Sequence, residues 1–168
     1  MLRAEDLFHG TAEPEAVPLP ERDPLREPDV LLEAQLLDTR VEVRTSRAAL
    51  LLELRTTMEF AKGDAALLIA HGVREFTWTA PSRPASSTAW TVLSSAPGAS
   101  ESLFTLDLGL HPDAGLRLTA EHAEFYVADV PRLAPRIPDY GTDDPATIRN
   151  NLPSWTSPLS LRGACALS

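Results

Sequence analysis

From residue 30 onward the apolar residues recur at every second position, and this periodicity constrains the fold more than any other feature of the chain. Leu50, Leu52 and Leu54 alternate with Leu51, Glu53 and Arg55, and Phe104, Leu106, Leu108 and Leu110 alternate with Thr105, Asp107, Gly109 and His111. Successive side chains of a strand point to opposite faces, so a period of two marks half-buried strands. Segments of the same character run over 31–37, 41–44, 65–79, 88–94, 116–119, 124–130 and 159–167, separated by turn chemistry at 62–64, 81–87, 96–98 and 112–115. Two irregularities stand out. Gly72 interrupts 65–79 where the inward set changes parity, from Leu67 and Ile69 to Phe76 and Trp78, which predicts a bulge. Leu116 and Leu118 give way to Phe125 and Val127 across Glu121 and His122, which calls for a tight turn or a second bulge.

One helix is expected. Asp143 and Asp144 precede Pro145, placing a carboxylate at the cap and proline at the first helical position, and Asn150, Asn151 and Pro153 end the helix after about two turns. The expected fold is mostly β, an antiparallel sandwich or curled sheet with one short helix near 144–151. Its core should include Leu50, Leu52, Leu54, Leu67, Ile69, Phe76, Trp78, Leu106, Leu108, Leu118, Phe125 and Val127.

Residues 1–29 differ in kind. They hold five of the 15 prolines and eight acids against three arginines. Proline removes backbone donors and like charges oppose collapse, so an extended acidic arm is expected, followed by a single β-rich domain over 30–168. At 168 residues there is no room for two substantial domains.

The net charge of −9 excludes function classes that need clustered lysine and arginine, so neither nucleic acid nor an anionic membrane is an expected partner. Glu5 and Asp6 stand where a signal peptide needs apolar residues, and the longest apolar runs, such as 65–70, are too short for a membrane span, so a cytoplasmic location is expected. Cys165, the only cysteine, has no disulfide partner within the chain, and its apolar neighbours point to an inert thiol.

Several chemistries have no motif here. There is no glycine-rich phosphate loop, no G-x-S-x-G elbow, and no H-x-H or H-E-x-x-H pair among His9, His71, His111 and His122. His71 and His111 are read as structural or solvated and His122 as a turn residue. No catalytic residue, cofactor or metal ligand is assigned, and the chain is expected not to be an enzyme.

What remains is the proline-rich stretch 131–145, with Tyr140 and with Trp155 nearby. Asp139, Asp143 and Asp144 suit helix capping or an acidic contact surface, and stiff aromatics with an acidic rim resemble recognition loops. Asp139, Tyr140, Asp143, Asp144 and Trp155 are therefore the candidate partner-binding residues.

The stretches LLLELRTTMEF, ALLIAHGVREFTW, AEFYVADV and NLPSW resemble small β-rich actinomycete proteins, some of which are grouped with immunity proteins of polymorphic toxin systems. The near-absence of lysine fits a GC-rich genome. The resemblance implies a cytosolic, non-enzymatic protein that neutralises a cognate, basic, toxin-like protein. Two alternatives stand beside it: a small-molecule binder or hydrolase with a pocket of His, Asp and Tyr beside the sheet, and a subunit of a larger assembly clasped through the arm.

Overall fold

The computed structural model describes residues 1–15, 17–19, 22–81, 88–134 and 136–167. Most of the turn expected at 81–87 lies outside them. The chain is mostly β: among the described residues there is one antiparallel sheet of seven strands, with two short helices. In chain order the elements are α1 (Ala4–His9), β1 (Gln35–Glu42), β2 (Arg47–Glu53), β3 (Ala65–Thr79), β4 (Trp90–Ser100), β5 (Leu103–His111), β6 (Ala114–Asp129), α2 (Pro145–Asn150) and β7 (Ser160–Leu167). Among the described residues no helix is long and apolar enough to cross a membrane.

The strand pairings run β3-β2-β1-β4-β5-β6-β7, and β3 pairs with β6 as well. Six strands therefore form a closed circuit of pairings, whose shortest link is β1 with β4, through Gln35 opposite Thr91 and Leu36 opposite Trp90. β6 is the hub. One side of it pairs with β3 from Gly115 to Ala128, while its other side pairs with β5 up to Ala120 and with β7 from Ala123 onward.

The apolar residues divide into two layers. The larger, inside the curl, holds Leu36, Leu50, Leu52, Leu54, Leu68, Leu106, Leu118 and Phe125. The smaller lies on the opposite face of β2 and β3, where Leu51, Leu67 and Ile69 meet Leu7 and Phe8 of α1 together with Trp155 and Leu159. Strands covered on both faces read as continuous apolar runs, which is why 48–52 and 65–70 look less alternating than β5. Leu67 and Ile69 are core residues as expected, but in the outer layer. Phe76 is only half-buried and Trp78 is 41% exposed, set edge-on against Trp90 at 5.4 Å. Leu52 faces Leu36 and Ala66 across the sheet and is fully buried. Leu52→Ala should cost about 2–5 kcal/mol in a urea titration through lost burial and the cavity it leaves; a loss under about 0.5 kcal/mol would show that Leu52 does not face the core.

Both sequence irregularities have structural counterparts, though not all in the form expected. The register of β3 against β6 slips between Val73 and Glu75, placing a bulge just beyond Gly72. Gly72 itself sits at φ 63°, and a Cβ there would meet the Glu121 side chain; glycine reaches that left-handed conformation without steric cost. At Glu121 and His122 there is no turn. β6 stays paired with β3 throughout, and its inner set changes there from Leu116, Leu118 and Ala120 to Ala123, Phe125 and Val127. The turn expected at 96–98 also lies inside a strand. Beyond Thr91, β4 has no second neighbour among the described strands, so Pro97 costs no ladder hydrogen bond. The chain reverses instead at Glu101 and Ser102, both at positive φ as a two-residue hairpin requires.

The helix expected near 144–151 is α2. Asp144 caps it by accepting the Thr147 N–H at 3.0 Å, with Pro145 in the first turn. α1, which the sequence reading did not include, lies within the arm. Asp6 accepts the Arg3 N–H at 2.9 Å, Gly10 closes the helix in the left-handed conformation, and Leu7 and Phe8 are buried. Further along, Ala164 N–H donates to the Val17 carbonyl at 2.6 Å and Pro18 bridges to Ala164 in parallel. Leu25, Val30 and Leu31 are buried in the inner layer. The arm thus lies along its own domain.

Candidate functional site

Between the arm and the outer face of β3, β6 and β7 is a cleft of about 640 Å³. Its floor follows from the strand ladder. His71 on β3 lies directly opposite His122 on β6, and Ile69 lies opposite Glu124. Residues two apart on a strand share a face, so His122, Glu124 and Tyr126 form one row on the outside of β6 while Ala123, Phe125 and Val127 fill the inside. β7 adds Ala164 and Ala166, opposite Tyr126 and Glu124.

Glu124 is the centre of this row. One carboxylate oxygen lies 3.1 Å from His71 Nε2 and the other 3.5 Å from His122 Nε2. The imidazole rings are 5.4 Å apart and inclined by 33°. Hydrogen bonding from His71, more than any other cause, holds the Glu124 carboxyl below the usual carboxylate range, against the opposing effect of partial burial. Burial, with the adjacent Glu124 carboxylate, pushes the Tyr126 hydroxyl up to about 12. Cys165, at the edge of the cleft, donates to Asp23 at 3.3 Å, and burial pushes its thiol up to about 12. A thiol so rarely ionised near neutrality is a poor nucleophile. Perturbed ionisations gathered in one cleft mark a candidate site.

The rest of the lining is apolar and acidic. Leu7, Pro14, Val17 and Pro18 come from the arm, and Glu13 and Glu15 join Glu124. No lysine, arginine, serine or threonine is among the described lining residues.

The five residues expected to contact a partner lie elsewhere, and they divide. Asp139 and Asp144 are exposed. The Asp139 carboxyl is held low by hydrogen bonds from Thr142 and Gly141, and that of Asp144 by the Thr147 N–H. Asp143 accepts the Asp139 N–H at 2.9 Å and the Arg136 guanidinium at 3.0 Å. Tyr140 points inward, its hydroxyl 3.5 Å from the buried Glu53, and burial raises its ionisation well above the ordinary value. Trp155 is 7% exposed, and its indole N–H donates to Asp38 at 2.7 Å. Trp155 is buried and Tyr140 half-buried, and through Asp38 and Glu53 both tie the C-terminal part of the chain to β1 and β2.

The histidines divide similarly. His111 is exposed and His9 lies 3.5 Å from Glu42. His71 and His122, read from sequence as structural or turn residues, pair across β3 and β6, with His71 at the cleft floor and His122 just outside it. The signal that finds them is the pattern His122-x-Glu124-x-Tyr126, a polar row alternating with the apolar Ala123, Phe125 and Val127. Reading Glu121 and His122 as a turn broke that row. No protein-family model, curated protein or solved structure matches the chain.

Proposed function

We propose that this chain is a non-enzymatic small-molecule-binding protein, and that its ligand has an apolar body and an amine head. The observation that carries this reading is an apolar cleft with a partly buried carboxylate, Glu124, at its floor. Pockets for small ligands are mostly apolar, with a few convergent polar groups that fix orientation. Among the described residues three carboxylates and no basic side chain other than histidine line this one, so a positively charged head is favoured and an anionic one is repelled. The Cys165 thiol, kept protonated by burial, and the absence of serine and threonine among the described lining residues favour binding without a covalent step.

The test uses octylamine and octanoate, which differ only in their heads. In NMR titrations of the full chain, octylamine should shift the amides of Tyr126, Ala164 and Ala166 and bind at least about 10-fold more tightly than octanoate, and Glu124→Gln should remove most of that preference, because a hydrogen bond to a charged group is worth roughly 1.5–3 kcal/mol. Equal affinities, or shifts confined to other surfaces, would overturn the proposal. Binding of a basic protein partner is a second reading, supported by the net charge of −9 and the exposed Asp139 and Asp144. It is the weaker one, since the loop's carboxylates are engaged within the loop itself.

A further inference from the structure

We propose that His71, His122 and Glu124 form a three-ligand site for a divalent transition-metal ion of the zinc class, open toward the cleft. This goes beyond the amine-binding reading and does not depend on it.

The three side chains each present a ligand atom, and these atoms lie within 4.8 Å of one another. Zinc binds imidazole nitrogen at about 2.0–2.1 Å and carboxylate oxygen at about 2.0–2.2 Å. Ligands around a tetrahedral ion at those bond lengths stand about 3.3–3.6 Å apart, by the geometry of a tetrahedron with these radii. One Glu124 oxygen stands 3.1 Å from His71 Nε2 and the other 3.5 Å from His122 Nε2, with all three ligand atoms inside 4.8 Å, so side-chain adjustment alone can close the set around an ion. The scaffold also fixes the ligands well. His71 and His122 are directly paired across two strands, and Glu124 is two residues along the same face; sites built on strands hold their geometry better than sites on loops.

The donor set selects the class of ion. Two imidazoles and one carboxylate suit zinc and its transition-metal neighbours, whereas magnesium and calcium require oxygen ligands. Three protein ligands leave a fourth position free, the arrangement of zinc sites that bind an exogenous ligand rather than purely structural ones. Tyr126 stands next to Glu124 on the same face of β6, where an outer partner of a ligand can sit, and such partners commonly change metal affinity 10–100-fold. Glu13 and Glu15 across the cleft add negative charge that draws a cation in.

The full chain, stripped with a chelator and dialysed, is titrated with zinc by calorimetry and separately with cobalt(II). One ion per chain should bind, and cobalt should give the visible absorption of a tetrahedral site together with paramagnetic broadening centred on the signals of His71, His122 and Glu124. His122→Ala and Glu124→Gln should each lower zinc affinity at least about 100-fold with the thermal melting profile retained, and His9→Ala should leave it unchanged. No uptake at micromolar zinc, broadening centred elsewhere, or binding that survives His122→Ala would overturn the site. His122 does not line the cleft, so octylamine binding should persist in His122→Ala. Loss of metal with retained amine binding separates this inference from the preceding one, and in the unsubstituted chain the cobalt broadening tests it even if a variant fails to fold.

Discussion

Arg55→Ala is expected to destabilise the chain by about 3–5 kcal/mol in chemical denaturation, among the largest effects of any single substitution outside the apolar layers. Glu53, at the end of β2, is fully buried, and Arg55 is only 9% exposed. The guanidinium meets both carboxylate oxygens, at 2.5 and 2.8 Å, and also donates to the carbonyls of Ala134 and Asn151 at 3.4 and 2.5 Å. Truncating Arg55 leaves a carboxylate in the interior with no cation, and removing one partner of a buried pair typically costs that much because the remaining charge is uncompensated. The same substitution releases two carbonyls of the segment carrying Tyr140 and α2, so proteolysis within 131–151 should quicken. The paired replacement of Glu53 and Arg55 by leucine should recover much of the loss, since buried ion pairs often exchange for apolar side chains at little net cost. A double-mutant cycle measures the coupling directly. If Arg55→Ala costs less than about 1 kcal/mol, the pair is solvated in solution.

That ion pair shows how far the sequence could be read. Glu53 and Arg55 were visible as the polar alternates of Leu52 and Leu54, and period-two logic sends such residues toward solvent. The logic holds for β5, whose other face is open: Asp107 is exposed and Leu106 is buried. It fails for β2 because α1, Trp155 and Leu159 cover the second face. Whether a strand has one covered face or two depends on partners more than a hundred residues away, such as Leu51 against Trp155. The cleft floor was partly legible for the same reason. Glu124 and Tyr126 share a face by local rule, but that His71 lies opposite His122 depends on the register of β3 against β6, which Gly72 and the nearby bulge help to set. The cap at Asp144 was fully legible, because a cap is decided within four residues. α1 was obscured by the arm's composition. Five prolines and eight acids argue for extension, yet Leu7 and Phe8 bury enough surface against β2 and β3 to hold six residues in a helix that would not form alone.

Trp155→Ala should cost a further 3–5 kcal/mol and, more tellingly, should weaken ligand binding at a cleft that Trp155 does not touch. The indole is 7% exposed and stands 6.1 Å from the Phe8 ring; its N–H donates to Asp38, and the Arg40 guanidinium lies 4.4 Å over its face. Its own carbonyl accepts the Glu5 N–H at 3.0 Å. One residue therefore ties α1 to the sheet by packing and by backbone, and α1 runs directly through Gly10 into the segment that roofs the cleft. Removing a large buried aromatic opens a cavity that the surrounding residues fill only in part. Hydrogen exchange should consequently rise at the Leu7 and Phe8 amides before the amides of β5 respond, because α1 lies against the outer layer and β5 against the inner one. Trp155→Phe keeps most of the apolar contact and loses only the indole donor, whose acceptor Asp38 is exposed, so a cost of about 1 kcal/mol is expected. These outcomes separate a fastening role from a contact role. If Trp155→Ala folds with unchanged stability and unchanged exchange at Leu7, the side chain does not anchor the arm, and the roof over His71 and Glu124 is held by other contacts, such as the Val17–Ala164 and Pro18–Ala164 links.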